Sequence, residues 1–409
     1  MDEIKLKIIE EIEKSKDEQI DFLQKLVKTP SANPYVKNPL ESNPEDPVEL
    51  QVAELIYNKL EEIGLSPKFE GISPSRPNVI RKFGRKGRTL IFNGHMDTVL
   101  PTPGWEVDPF SGIIKDGKLY GLGALDMKSA LSSYIFMVKA LLRFESELNG
   151  KIILQFVVDE EPIGASPFGT RYLLEKGYVG DAAIIGEPGT KKIVIGNRGG
   201  YRFKIEVFGE AVHTGLREWE EKKKGLNAIL EMVKVINALQ EIEFPIEEHP
   251  IFPGRKNVLT FPTIIEGGKA INVVPDYCIA FGDMRILPGI TKEYIEGKIK
   301  EKLDKLGVKY KLTPIIYVPP TFIKPDEPIV QILKNNAKTI LKREPIIEGS
   351  GAWSDMWMFI EKGIPTVNFG CDGEGAHSKN EYVDIKSVID VTKIYALTAI
   401  DFLRFELSP

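Results

Sequence analysis

The stretch Thr89-Leu-Ile-Phe-Asn-Gly-His95-Met-Asp97-Thr-Val99 sets a short apolar run, Thr89 to Phe92, directly before a histidine and an aspartate two residues apart. A run without polar alternation fits a strand covered on both faces, as in the centre of a sheet flanked by helices. The design recurs further along the chain. Ile152 to Val158 leads into Asp-Glu160-Glu161-Pro, and Ala182 to Ile185 leads into Gly-Glu187-Pro-Gly. The helical stretch Ser129 to Phe144 lies between two of these runs, so the order predicts an α/β sheet covered by helices. Ligands of such sheets gather beyond the carboxyl ends of the strands, which is where these histidines and carboxylates stand.

Working outward, Ile8, Ile12, Ile20, Leu23, Leu26 and Val27 recur at helical spacing and predict an opening amphipathic helix. A Pro-rich loop from Thr29 to Pro47 and a helix around Val48 to Ile63 follow. From about Gly199 the pattern changes to alternating strands, Tyr201 to Phe208, Val258 to Ile265 and Tyr277 to Asp283, interleaved with helices near Leu226 to Leu239 and Lys292 to Leu306. This reads as an inserted α+β unit, 199–313, within a first domain formed by 1–198 and 314–409. The last part returns to helix (Pro328 to Leu341), strand (Thr366 to Phe369) and helix (Ile385 to Phe405).

Composition narrows the function. The 409 residues, 42% hydrophobic and 28% charged, suit a chain of two or three packed domains and exclude wholesale disorder. Lys and Arg number 54 against 59 Asp and Glu, a net charge of −5, so no global positive field exists to hold nucleic acid or an anionic membrane. Two cysteines, Cys278 and Cys371, are too few for a disulfide framework, and residues 1–28 lack the uninterrupted apolar stretch of a signal peptide. A cytoplasmic location is expected.

Only four histidines occur, His95, His213, His249 and His377. His95 and Asp97 have the spacing of a metal ligand and its orienting carboxylate, although a lone His-x-Asp is more often a turn. Asp126 closes Tyr-Gly121-Leu-Gly123-Ala-Leu-Asp126, where it is a candidate ligand or a plain helix N-cap. A dinucleotide loop would need a third glycine where Leu125 or Asp126 stands, and no acid facing the phosphates. Adjacent Glu160 and Glu161 point to different sides of an extended chain, so one can bind a cation while the other accepts a proton; the bland reading is a solvated pair. Glu187 repeats the strand-end arrangement, and His377 lies in Gly-Glu-Gly-Ala-His377-Ser-Lys-Asn-Glu-Tyr, after the run Thr366 to Phe369. Three carboxylates and two imidazoles, with one carboxylate bridging, would give each of two Zn²⁺ ions three protein ligands and an open place for water. His249, in Glu-Glu-His-Pro, belongs to no motif and reads as a surface residue.

In their order and spacing these motifs, from Leu26-Val-Lys-Thr-Pro-Ser31 to the region of His377, resemble those of the acetylornithine deacetylase, succinyl-diaminopimelate desuccinylase, aminoacylase and glutamate carboxypeptidase family of co-catalytic zinc hydrolases. The resemblance implies two Zn²⁺ ions, with Co²⁺ or Mn²⁺ as substitutes. His95, Asp126 and Glu187 would bind one, and Asp126, Glu161 and His377 the other. Asp97 would orient His95, Glu160 would be the general base and acid, and the Asp126-Met127 peptide would be cis. The inserted unit would be a lid and dimerisation domain, with His213 in Gly-Glu-Ala-Val-His213-Thr-Gly entering the partner's active site of a homodimer. Asn272, Arg285 and Arg198 would hold the substrate's carboxylate, for which a guanidinium fork is suited. A strand-end salt bridge is the other reading of Arg198. The Ser350-Gly351 turn is a further candidate for substrate contact, and the aromatics from Trp353 to Phe359 read as helix core. The implied activity is hydrolysis of an amide bond in an N-acyl amino acid, with release of a C-terminal residue from a short peptide as the alternative. A catalytically silent metal-binding relative and an NAD-dependent oxidoreductase stand further off. Met-Lys-Ser-Ala where the family has Met-Lys-Gly-Gly, and the bulky Arg217-Glu-Trp219 after the lid histidine, are departures from the pattern.

Overall fold

The computed structural model describes residues 2–34, 43, 45–162, 166–245 and 248–404. Much of the Thr29–Pro47 loop, and Phe405 at the end of the last predicted helix, lie outside them. The chain divides into two compact units, one of residues 1–197, 322–350 and 354–409, the other of 198–321 and 351–353.

The first unit is built on a nine-stranded mixed sheet. Its centre runs Gly150–Val157, Arg88–His95, Ala182–Ile185 and Thr366–Asn368, all parallel. Asn78–Gly84 pairs antiparallel beside Gly150–Val157. Leu90 to His95 and Ile152 to Val157 are buried at every position, as their unbroken apolar runs require of strands covered on both faces. The helices Ser129–Leu142 and Ile385–Arg404 bring Tyr134 and Tyr395 onto Phe92, with ring centroids 5.3 and 5.4 Å away. Tyr134 also donates its hydroxyl to the Asn93 carbonyl at 2.8 Å, which satisfies a polar tip in an apolar layer. Because the four central strands are parallel, their carboxyl ends share one edge.

The opening helix is in fact two, Glu3–Lys14 and Lys16–Lys28, broken at Ser15, whose hydroxyl bonds back to the Glu11 carbonyl. A small four-stranded sheet joins the hairpin Ile113–Lys115/Lys118–Tyr120 to Tyr382–Asp384 and Gly373–Glu374. Its turn residues Asp116 and Gly117 both have positive φ, the geometry that two-residue hairpins favour.

The second unit is an antiparallel sheet in the order Val258–Gly267, Tyr277–Ile286, Gly199–Phe208, Tyr310–Val318. Strand Tyr277–Ile286 alternates buried and half-buried side chains, and the buried face packs with Met232, Val235, Ile295 and Ile299 of the helices Ala228–Gln240 and Lys292–Asp304. Asn227 and Thr291 cap these helices through their side chains. The last strand, Tyr310–Val318, crosses the expected boundary at 313/314: its pairing with Gly199–Phe208 keeps it in this sheet, and Pro314 within it reads in sequence as a break. No described helix is long and apolar enough to cross a membrane.

Candidate metal centre

Each side chain at the carboxyl edge is placed by the strand or turn before it. His95 is the last residue of its strand. Its Nδ1 lies 3.0 Å from the Asp97 main-chain carbonyl and 3.5 Å from the Asp97 carboxylate, so the nearer orienting partner is the carbonyl. A proton on Nδ1 directed there leaves Nε2 as the lone pair, the tautomer a ligand needs. The Asp97 carboxylate, which sequence spacing assigns to His95, also accepts from the Glu160 and Glu161 main-chain N–H groups at 3.2 and 3.0 Å and from Asn33 Nδ2 at 2.9 Å. These bonds fix the turn that carries both glutamates.

Asp126 follows the tight turn at Gly123 (φ 77) and precedes the Ser129–Leu142 helix; its own backbone is extended (φ −114, ψ 94) and the Asp126–Met127 peptide is cis. Asp126 is thus not an N-cap. Its carboxylate lies 3.3 Å from His95 Nε2 and, through the other oxygen, 3.3 Å from His377 Nε2, which is also 3.0 Å from Glu161. Two groups of potential ligands result, His95, Asp126, Glu187 and Asp126, Glu161, His377, each with one donor atom per residue within 4.8 Å of the others. Asp126 is common to both.

The electrostatics of this edge call for cations. Burial, reinforced by the Asp126 charge, pushes Glu187 up to about 8, and burial also raises Glu160 well above the usual carboxylate range, with Glu187, Asp355 and Glu161 adding repulsion. Burial raises Glu161 as well. Asp126 goes the other way: the imidazoles of His377 and His95 beside it outweigh its burial and hold it low. His377 is carried to about 11 by Asp126 and Glu161. Asp126 Oδ1 and Glu161 Oε1 are buried without a hydrogen bond. Buried oxygens without donors, carboxylates beyond the number of protein cations, and an imidazole pair fit a pair of divalent metal ions.

Three supporting residues escaped the sequence reading. Glu381, 1% exposed, accepts from the main-chain N–H groups of Gly123, Leu125 and Asp126 at 3.0, 2.8 and 3.0 Å and so ties the Asp126 turn to the loop of His377. Asn33 bridges Asp97 and Asp159, at 2.9 and 3.2 Å. Asp355, raised to about 7 by burial, accepts from Thr170 Oγ1 at 2.5 Å. None stands at a strand end with an apolar run before it, which is the signal the sequence reading used; Glu381 alone had one to offer, four residues after His377 in the quoted motif.

In the second unit His213 Nε2 lies 3.2 Å from Asn272 Nδ2, and its Nδ1 accepts from the Gly215 N–H at 3.1 Å. Arg198 donates from Nε to the Gly351 carbonyl at 3.2 Å and from Nη1 to the Lys256 carbonyl at 2.9 Å. Arg285 donates to Asp283 at 2.8 Å. Ser350 ends the strand Ile346–Ser350 in the first unit, paired with Asn197. Trp353 is outside the helix that begins at Met356, so of the aromatics expected in a helix core Trp357 and Phe359 are buried there, beside Met356 and Met358. His249 is half-buried, its ring 5.3 Å from that of Phe252, and so is less exposed than the surface reading expects.

A parallel sheet whose carboxyl edge carries two ligand triads sharing an aspartate defines a co-catalytic metallohydrolase. The chain belongs to Peptidase family M20/M25/M40, whose model matches residues 91–401, and it is a hydrolase of C–N amide bonds. Two similar proteins are N-formyl-4-amino-5-aminomethyl-2-methylpyrimidine deformylases. The one from Bacillus subtilis is 29% identical over 96% of each chain, and the one from Halalkalibacterium halodurans is 28% identical over 95% of this chain and 96% of that one. Among solved structures, a family M20 metallo-carboxypeptidase, Sso-CP2 from Sulfolobus solfataricus, superposes with a TM-score of 0.76 at 18% identity, covering 95% of this chain and all of that one.

Proposed function

We propose that this protein removes the acyl group from an N-acyl amino acid by metal-dependent hydrolysis of the amide bond. The observation that carries the reading is the pair of ligand triads sharing Asp126 beside a buried glutamate, Glu160, that belongs to neither. His95, Asp126 and Glu187 would hold one Zn²⁺, and Asp126, Glu161 and His377 the other. When bound, such ions supply Lewis acidity, drawing electron density from the scissile carbonyl and acidifying water. Asp97 fixes the Glu160–Glu161 turn and, through its carbonyl, the His95 ring. Glu160 takes a proton from the attacking water as the new C–O bond forms and returns it to the amide nitrogen as the C–N bond breaks, yielding a carboxylate and a free amine. His213 donates to the oxyanion. Arg285, Arg198 and Asn272 orient the substrate's carboxylate, and the Ser350-Gly351 turn is a further candidate for substrate contact.

The deformylase relatives, named for a small N-acyl group on an amine, favour deacylation over peptide cleavage. In this reading the enzyme is a cytoplasmic homodimer in which the second unit serves as lid and contact surface, so that His213 acts on the partner's substrate. Turnover of N-acetyl, N-succinyl, N-formyl and dipeptide substrates by the metal-loaded enzyme tests the assignment. Hydrolysis of N-acyl amino acids is expected; cleavage of dipeptides alone would replace it with the peptidase reading, and no turnover across the panel would leave a metal-binding relative.

A further inference from the structure

The strand Gly150–Val157 ends just before the two glutamates, and each of the next four main-chain N–H groups is taken by a side chain. Val158 donates to Asn78 Oδ1 at 3.1 Å and Asp159 to Glu49 Oε1 at 3.1 Å, while Glu160 and Glu161 donate to the two Asp97 oxygens at 3.2 and 3.0 Å. The turn is therefore held from three distant segments of the chain. Within it Asp159 has φ 66, in the left-handed region that residues with a Cβ seldom adopt. Such backbone persists where its surroundings hold it in place.

Arg76 holds residue 159 in two ways. Its guanidinium forks onto Glu49, Nε donating to Oε2 at 2.8 Å and Nη2 to Oε1, the oxygen that also receives the Asp159 N–H. The same Nη2 lies 3.3 Å from the Asp159 carboxylate. One cation thus grips Asp159 by its main chain, through Glu49, and by its side chain. Asn33 adds a further hold, its Nδ2 shared between Asp97 and Asp159 at 2.9 and 3.2 Å. All of these side chains are buried. A desolvated ion pair contributes little net stability beside a well-packed apolar pair of the same volume. What a guanidinium fork supplies and apolar packing does not is direction, fixed at two oxygens. Direction matters here, because the backbone at 159 aims both Glu160 and Glu161, and a misplacement of about 1 Å at a reacting group costs on the order of 10²-fold in rate.

We propose that Arg76, acting through Glu49 and Asp159, is a positioning residue for Glu160: its fork holds the left-handed backbone at Asp159 and so aims the proton acceptor at the attacking water. The proposal rests on the reading of Glu160 as that acceptor. It places a determinant of the chemical step in the turn before the strand Asn78–Gly84, outside every ligand-bearing segment.

The test compares the Zn²⁺-loaded full chain with its Arg76→Lys variant, which keeps the buried charge but gives up the fork. With the N-acyl amino acid that the wild type turns over fastest, kcat is expected to fall roughly 10- to 100-fold at unchanged KM. In hydrogen exchange of the same two proteins, the amides of 159–161 are expected to exchange faster in the variant while those of the strand Arg88–His95 keep their protection. Either kcat or the exchange of 159–161 at its wild-type value overturns the proposal. A purely structural ion pair is told apart by Arg76→Met alone and combined with Glu49→Met. Removing both charges is expected to raise the denaturant midpoint above that of Arg76→Met and to leave kcat low, and recovery of kcat along with the midpoint would overturn the proposal as well. Should Glu160→Gln keep the wild-type kcat, or no substrate be turned over, the reading of Glu160 falls, and the exchange of 159–161 still decides whether Arg76 holds the turn.

Discussion

At the carboxyl edge of the large sheet, Asp97, Asp126, Glu160 and Asp355 are buried and acidic, with Asp126 3.3 Å from each of two imidazoles, whereas around Trp353 in the second unit Arg285 and Arg202 share one carboxylate, Asp283. Both regions crowd like charges, and they are stabilised differently. The acidic edge lies beyond parallel strands, where the burial of Glu160 and Glu187 makes an unpaired charge expensive, so these carboxylates titrate well above their usual range. The basic turn is partly open to water, and Arg285 and Asp283 remain 28% and 23% exposed. Screening there is strong, and the cluster tolerates its own repulsion. Burial therefore makes the first region call for bound cations, and openness lets water screen the second.

The comparison is broken most directly at Glu160. Glu160→Gln keeps shape and hydrogen-bonding reach but cannot accept the proton, so kcat is expected to fall by roughly 10²- to 10⁴-fold while metal content, read by elemental analysis of the dialysed protein, stays at the wild-type level. Loss of metal in that variant would move Glu160 into the ligand set. Behind the same edge lies a fully desolvated ion pair, Arg76 with Glu49, at 2% and 0% side-chain exposure, in which Glu49 also accepts from the Asp159 N–H at 3.1 Å. Arg76→Met leaves a buried carboxylate without its cation, and a loss of about 3–5 kcal/mol in unfolding free energy is expected from denaturant titration. An equivalent loss for a charge-neutralising change at Arg255 in the basic turn would contradict the contrast drawn here, because that side chain is exposed.

A more delicate effect is expected at Glu381. Its carboxylate accepts three main-chain N–H bonds from the Asp126 turn, and in Glu381→Gln one of its oxygens becomes an amide facing a donor. Metal affinity, titrated against a competing chelator, is expected to drop roughly 10- to 100-fold, the usual scale for losing an outer partner of a ligand. If affinity is unchanged and only the melting midpoint of the metal-free protein falls, Glu381 holds the fold and not the ligands.

These three residues also mark where sequence was informative. Glu160 was legible because an unbroken apolar run is a strong sign of a buried parallel strand, and chemistry collects after such strands. The strands Ala182–Ile185 and the helix Pro328–Leu341 were read to the residue for the same reason: clear periodicity ended by Gly or Pro. Arg76 and Glu49 were invisible, since an arginine before a proline and a glutamate at a helix start read as surface charge until tertiary packing buries them. The basic turn was half legible. Arg285, Arg198 and Gly351 lay in motifs, but Arg202 faces Trp353 by strand register, and Arg255 reaches Gly351 from 96 positions away in the numbering. The break at Ser15 and the strand Tyr310–Val318 were missed where a local signal conflicted with packing: apolar spacing that continued across the break, and Pro314 inside a paired strand.

The smallest expected effect lies away from both charged regions and calibrates them. Asn227 caps the helix Ala228–Gln240, its Oδ1 accepting from the Ile229 and Leu230 N–H groups at 3.0 and 3.2 Å. Asn227→Ala removes the acceptor and shields the orphaned donors from water, so a loss of about 1 kcal/mol is expected from the shift in denaturant midpoint. Asn227→Gly removes the same acceptor yet lets water reach those donors, and the expected loss is only a few tenths of a kcal/mol. The difference between the two variants isolates solvation of main-chain N–H groups from the hydrogen bond itself. Solvation is also what separates the buried acidic edge from the open basic turn. Equal losses in the alanine and glycine variants would mean that water access matters little at this helix end, and would weaken the same argument where it is applied to the arginines.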